Sequence, residues 1–382
     1  MKKILFINQE MNFGGVELSL IQHLKRFSDD KQASKQASKQ ARLFLYLSSK
    51  RGDAFSLLPS DVEVKIIWGM NKYFRCIVDD PYTICRRFLK SLKLGDLFGF
   101  VKAYFKQKKA NSQIPMYEFM YRKEKVDPVI YDEVYVYGTP FPALEYFALN
   151  YVKSKKYATW IHFDVNKFGI NNSFVNSYYH RFDDIILVSN ELKKIFDNRF
   201  PALASHTKVV HNLIDKDSIL KQSEEIIGDM PTGKCDHIRI VTVGRVSEEK
   251  GQYDVLPYFK EAIDNDLNAV WYFVGGGKDL ERCKQKTEEL GIADNVKFLG
   301  VKTNPYPYMR HCDVYVQPSR HEGYCITLAE AKLFNKPIIT TQFTGAKEQL
   351  KNYEYSASII SIDKLSEILI EYANNIGDYS NA

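Results

Sequence analysis

A chain of 382 residues exceeds what one hydrophobic core organises comfortably, so two domains of roughly 150–200 residues are the first expectation. Apolar residues make up 45% and aromatics 14%, enough for two cores, while no run approaches the roughly 18 consecutive apolar residues of a membrane span. The net charge of +6 is uneven, because residues 70–110 hold ten Lys/Arg against three Asp and so account for the whole surplus. The six cysteines are scattered without a C-x-x-C pair, which argues against a disulfide framework or zinc site and for a reducing compartment. The apolar run 4–7 is too short for a secretory signal and is soon followed by Glu10.

In chain order, residues 3–8 read as a short buried strand. The stretch MNFGGVE at 11–17 then leads into a helix with Leu18, Ile21 and Leu24 at core spacing. Gly14 and Gly15 allow backbone amides to approach a phosphate at that helix start, or serve a tight turn alone. The pattern is not G-x-G-x-x-G, which disfavours a nicotinamide site. Residues 31–41, KQASKQASKQA, form a four-residue repeat whose polar, small-residue composition predicts a flexible surface loop. Ser-Lys-Gln-Ala can be encoded AGC-AAG-CAA-GCA, the tetranucleotide AGCA three times over. We read this as a slippage-prone tract that switches translation by frameshift; mixed synonymous codons in the gene would refute it.

Between 70 and 110, Arg86, Arg87, Lys90, Lys93, Lys102, Lys106, Lys108 and Lys109 alternate with Phe, Leu, Val and Tyr. Residues 85–109 predict a basic amphipathic helix or helix pair, lying on an anionic membrane surface or packed on the domain with its basic face solvated. Nucleic acid is disfavoured, since no binding module accompanies the charge. Strands are expected at 43–47, 64–68, 134–137, 158–163, 185–189 and 208–211, with helical segments between several of them, a doubly wound sheet. His162 and Asp164 follow strand residues 157–161, where side chains are placed for a ligand or for ordinary hydrogen bonding. The polar run 216–236 reads as a linker.

A second half opens with a strand at 238–244, followed by Arg245 and Lys250 on one loop before a helix. Two such cations can hold a diphosphate, or form a solvated surface pair. Residues 271–274 with Gly275, Gly276 and Gly277 repeat the strand-to-glycine pattern, and 296–300 adds a further strand. The stretch 314–341, VYVQPSRHEGYCITLAEAKLFNKPIITT, reads strand–loop–helix–strand, with Asn335 and Pro337 stopping the helix. Glu322 falls in the loop, either as a ligand group or as a plain solvated carboxylate. Glu330 falls in the first turns of the helix, where Thr327-x-x-Glu330 also fits a capping box. Cys325 suits a small buried hydrophobe. Backbone amides of Tyr324, Cys325 and Ile326 stand at a helix start, able to donate to phosphate or sugar.

The Glu322-x7-Glu330 pair before a helix, with Gly244-Arg245-x4-Lys250 upstream, resembles the retaining glycosyltransferases of the GT-B type, in family four (glycosyltransferase group 1). The similarity runs from Gly14 to about residue 350, with 70–130 outside it. The resemblance implies an α/β GT-B fold: two Rossmann-like doubly wound domains facing across a cleft. It implies an acceptor-side domain at 1–212, carrying the basic insertion, and a nucleotide-sugar-binding domain at 213–382, whose last helix is free to pack back on the first. The implied reaction moves a sugar from a UDP- or GDP-sugar to a hydroxyl of a surface glycan, such as lipooligosaccharide or capsule, or of a lipid-linked acceptor, with retention of configuration. The donor is expected between the domains, mostly on the second.

By the same resemblance Arg245 and Lys250 bind the diphosphate, Glu322 fixes the sugar and Glu330 accepts from the ribose hydroxyls. Gly14 and Gly15 face the diphosphate, His162 positions the sugar or meets the acceptor, and the backbone at Val301 contacts the base. Gly323, Tyr324, Cys325 and Ile326 complete the donor site. No carboxylate is placed to act as a covalent nucleophile. No metal or other cofactor is expected, since the cations do that work; Asp215-x-Asp217 and Asp264-x-Asp266 match D-x-D only where a turn or cap would use aspartate. The enzyme is expected in the cytoplasm or peripheral on the inner face of the membrane. Two rivals remain: an epimerase on the same scaffold, and a non-catalytic partner that binds glycans or nucleotide sugars.

Overall fold

The computed structural model describes residues 1–12, 14–33, 41–167 and 170–375. Residues 34–40 of the repeat therefore lie outside the described residues, as does Phe13, while its flanks at 31–33 and 41 end a helix and open a strand. The chain divides into two compact units, Met1–Val188 with Lys193–Leu213, and Ser189–Leu192 with Ile214–Ala382.

The first unit is built on a parallel seven-stranded sheet of β1 (Lys2–Ile7), β2 (Ala41–Leu47), β3 (Glu63–Ile66), β5 (Glu133–Thr139), β7 (Tyr157–Ile161), β8 (Asp184–Leu187) and β9 (Thr207–Val209). Their order is β3-β2-β1-β5-β7-β8-β9; β4 (Ile130–Tyr131) and β6 (Lys153–Ser154) form a separate short parallel pair. Runs such as KKILFI and ARLFLYL are buried on both faces, as parallel strands covered by helices must be. The strand expected to reach residue 68 stops at Ile66, because Trp68 opens a helix.

The helices of this unit are α1 (Gly15–Ala33), α2 (Trp68–Tyr73), α3 (Arg75–Val78), α4 (Pro81–Lys90), α5 (Leu94–Ala110), α6 (Ile114–Tyr121), α7 (Pro142–Tyr151), α8 (Asn172–Tyr178) and, from Lys193 onward, α9 (Asn190–Arg199). Thus α2 to α6 make up the basic insertion, a helical cluster held by Tyr73, Phe88, Phe100 and Phe119, whose rings meet edge-on or tilted.

The second unit opens with a helix, α10 (Lys216–Gln222), inside the stretch expected to be linker. The Asp215 carboxylate accepts from the Ser218 amide at 3.1 Å and caps it, and Ile219 anchors it. The parallel sheet follows in the order β12-β11-β10-β13-β14-β15, from β10 (Ile238–Val243), β11 (Ala269–Val274), β12 (Val296–Gly300), β13 (Val314–Gln317), β14 (Ile338–Thr341) and β15 (Ala357–Ile360). The helices are α11 (Gln252–Asp264), α12 (Leu280–Glu289), α13 (Tyr306–His311), α14 (Ile326–Ala331), α15 (Ala346–Leu350) and α16 (Leu365–Asn374).

Alternation along the strands separates two cores. Ile240, Trp271, Val314 and Ile339 face α11 and α16, while Val241, Tyr272, Tyr315 and Ile338 face α13, α14 and α15. The last described helix, α16, which the family resemblance left free to return to the first domain, contributes Leu365, Leu369 and Tyr372 to this core. In both sheets the order reverses beside the first strand, between β1 and β5 and between β10 and β13. Loops leaving the carboxyl ends of such neighbours diverge to opposite sides and open a crevice.

Candidate functional site

The crevice of the second unit receives the loop after β10 and the loop after β13, which carry Lys250 and Glu322. These strands are direct neighbours, with Ile240 opposite Val314. Gly251, left-handed at φ 73°, ends the first loop; a Cβ there would stand 2.0 Å from the Pro318 carbonyl oxygen, so only glycine lets the two loops touch. Arg320 ties them again: its amide donates to the Glu249 carbonyl at 2.9 Å and its guanidinium clasps both Asp254 oxygens at 2.6 Å.

The result is an ion pair between Lys250 Nζ and Glu322 Oε1 at 2.5 Å, with side chains only 18% and 10% exposed. Burial works against the lysine charge, but the Glu322 carboxylate outweighs it and holds the Lys250 pKa above its ordinary value. Behind the carboxylate runs a directed chain of hydrogen bonds. Tyr315 hydroxyl donates to Gln317 Oε1 at 2.8 Å, Gln317 Nε2 to Ser319 Oγ at 2.9 Å, and Ser319 Oγ to Glu322 Oε1 at 2.7 Å. Gln317 and Ser319 are fully buried, so this chain fixes where the carboxylate points.

Arg245, on the same loop as Lys250, is 67% exposed and only loosely paired with Glu249 at 3.9 Å. Its head is therefore free to swing onto an anion. Glu330 lies on α14, and its side chain does not turn back to cap the helix. Its Oε1 accepts instead from the Tyr306 hydroxyl at 3.0 Å, on α13. Burial raises the Glu330 carboxyl to about 7, against the Tyr306 hydrogen bond, which lowers it. The N-cap of α14 is Cys325, left-handed at φ 59°, and buried Gln349 donates through Nε2 to the Tyr324 and Cys325 carbonyls that flank this strained point. The Cys325 thiol is buried and its pKa is pushed up, so it is an inert packing group. Gly323 and Tyr324 lie in the loop before it, and Ile326 opens the helix. Val301 is exposed just past β12.

The structure thus joins Lys250 directly to Glu322, but holds Glu330 on Tyr306 and Arg245 beside Glu249. Gly14, Gly15 and His162 belong to the first unit. Gly15 opens α1 shortly after β1. His162 is buried past the end of β7, with Nδ1 3.0 Å from the Trp160 carbonyl. A carbonyl only accepts, so Nδ1 carries the proton and Nε2 is the acceptor. Burial pushes the ring down to about 3, against the Trp160 carbonyl, so His162 is neutral in ordinary buffers. Asp164 accepts from the Asn166 amide at 2.9 Å, a turn-closing role. Sequence reasoning missed Tyr306, Ser319, Gln317, Arg320 and Gln349, which act by contacts with residues distant in sequence or through a relay that no spacing marks.

Among the described residues, no group of three or more His, Cys, Asp or Glu is placed to hold a metal. Asp215 caps α10 and Asp264 pairs with Lys260.

Two touching loops at a switch point, one with cations and one with a carboxylate held by a polar relay, suit an anionic ligand with hydroxyls. Residues 232–376 match the family model for glycosyl transferases group 1. The matched stretch spans nearly all of the second unit and includes Arg245, Lys250, Glu322 and Glu330. The chain is 31% identical over 176 residues to an uncharacterized glycosyltransferase of Methanocaldococcus jannaschii, covering 45% of this chain and 43% of that protein. It is 32% identical over 111 residues to the lipopolysaccharide core biosynthesis glycosyltransferase LpsD of Rhizobium meliloti, covering 29% and 31%. The matches thus span less than half the length of these relatives. Among solved structures, Anabaena HepE in complex with UDP-glucose is similar over 100% of this chain and 95% of that one, at a TM-score of 0.63 and 18% identity. That likeness shows the GT-B fold.

Proposed function

We propose that the protein is a retaining family-four glycosyltransferase that moves a sugar from a nucleoside diphosphate donor to a hydroxyl of a surface glycan. The observation that supports this most is the Lys250–Glu322 pair, at the crevice where the order of the second sheet reverses. Lys250, with Arg245 swinging in from the loop edge, neutralises the diphosphate when bound and again as it leaves. Glu322, already aimed by Ser319, accepts from hydroxyls of the transferred sugar. Glu330 accepts from the ribose hydroxyls, and Tyr306 orients it. His162 Nε2 accepts a hydrogen bond from sugar or acceptor, and Gly14 and Gly15 bring amides toward the diphosphate. HepE was solved with UDP-glucose and LpsD is named for lipopolysaccharide core biosynthesis, which favours a UDP-sugar donor and an acceptor in a cell-surface polysaccharide. No metal is assigned a role.

The test is a panel of UDP- and GDP-sugars incubated with candidate acceptors, following release of free nucleotide, beside Arg245→Ala and Glu322→Gln. Acceptor-dependent release from one donor, lost in both variants, is the expected result. Release without acceptor, with isomerised sugar, would replace the transferase by an epimerase. Donor binding without turnover on any acceptor would leave a binding partner.

A further inference from the structure

We propose that the exposed face of α5 and the turn before it form a docking surface for an anionic lipid bilayer. Helix α5 runs from Leu94 to Ala110, about 25 Å at the usual rise per residue. Its buried residues, Phe100 and Ala103, pack toward α6, where Phe119 meets Phe100. At about 100° per residue, Leu94, Phe98, Val101 and Phe105 fall within about 60° of one another, on the side away from Phe100 and Ala103. Phe98 is 73% exposed and Phe105 67%, while Leu92 at the turn is 84% exposed. Large apolar side chains in such a row, left uncovered by the described residues, mark an interaction surface.

The charge around this row selects the occupant. Lys102, Lys106 and Lys109 line one edge of the stripe and Lys108 the other; all four are exposed, as are Lys90 and Lys93 at the turn. The three aspartates of this segment are engaged elsewhere: Asp79 by Arg75 and Arg87, Asp80 by the Thr83 amide, and Asp96 by Arg122. Asp96, the one acidic residue of α5, lies on its buried side. Protein interfaces deplete lysine, whereas a helix lying in the plane of a membrane surface buries an apolar stripe and lets flanking lysines reach up to phosphate headgroups. Among the described residues no helix is long and apolar enough to cross a membrane, so the contact is one of lying on the surface.

The test is co-sedimentation of the full chain with vesicles of phosphatidylcholine, alone or mixed with phosphatidylglycerol. The comparison variants are Phe98→Ser/Phe105→Ser and Lys102→Glu/Lys106→Glu, with the circular-dichroism melt as the check on folding. Pelleting with the anionic vesicles only, reduced about tenfold or more by either pair at an unchanged melt, is the expected result. A native chain that stays in the supernatant with anionic vesicles overturns the proposal and leaves the stripe to a protein partner. Equal pelleting of the Phe98→Ser/Phe105→Ser variant also overturns it, since charge alone would then explain binding.

Discussion

Separating Lys250 from Glu322 should cost far more than breaking a surface ion pair. Both side chains are mostly buried, 2.5 Å apart, and Ser319 donates to the same carboxylate oxygen. Lys250→Met leaves Glu322 with one neutral donor, and Glu322→Gln leaves a buried ammonium without its anion. Each single change is expected to cost about 3–5 kcal/mol. For a unit of this size that is a fall of roughly 6–20 °C in melting temperature. The double variant removes both charges, so it should recover about 2–4 kcal/mol relative to the sum of the singles. The assay is urea unfolding followed by tryptophan fluorescence, with Trp271 fully buried in the core of the same unit as a reporter. Losses that simply add in the double variant, or singles costing below about 1 kcal/mol, would show the pair to be an ordinary solvated contact and refute the reasoning.

Arg245→Ala should leave the melt unchanged, since the side chain is largely exposed, while donor affinity measured by calorimetry falls about 10- to 100-fold. Glu330 is the reverse case, a group whose folded pKa of about 7 lies above its ordinary 4.5. Its neutral form is the one the fold favours, so that contribution is complete below the ordinary value and lost as pH rises through about 7. Glu330→Gln, always neutral, should therefore be more stable than the native chain at pH near 8, on the order of 3 kcal/mol in urea unfolding, yet bind donor more weakly. The gap should close in acid; a gap unchanged with pH would contradict the buried titration. Turnover is expected to survive excess chelator, and its complete loss, restored by manganese, would overturn the metal-free reading.

Periodicity and punctuation made the scaffold legible. Continuous β-branched and aromatic runs marked the parallel strands, and Asn335, left-handed as the cap residue after the 3-10 turn that follows α14, ended the helix where its type suggests. The loops that carry Arg245, Lys250 and Glu322 were legible too, because strand ends fix where loops begin. Their partners were not. Tyr306 reaches Glu330 across 24 residues and Gln349 reaches Tyr324 across 25, contacts set by packing of α13 on α14 and of α15 on the loop before α14. Helix α10 was hidden for another reason: its single buried apolar residue, Ile219, left no stripe to read, and only the capping role of Asp215 hinted at it.

The two cations of the β10 loop live in different dielectric surroundings, and that difference reaches beyond geometry. Arg245 sits in solvent, where mobile ions at physiological strength screen an attraction over about 8 Å. Lys250 is enclosed with its counter-charge already in place, so added salt has little room to intervene. Ionic strength should therefore slow the capture of an anionic ligand through Arg245 while barely loosening its final hold on Lys250.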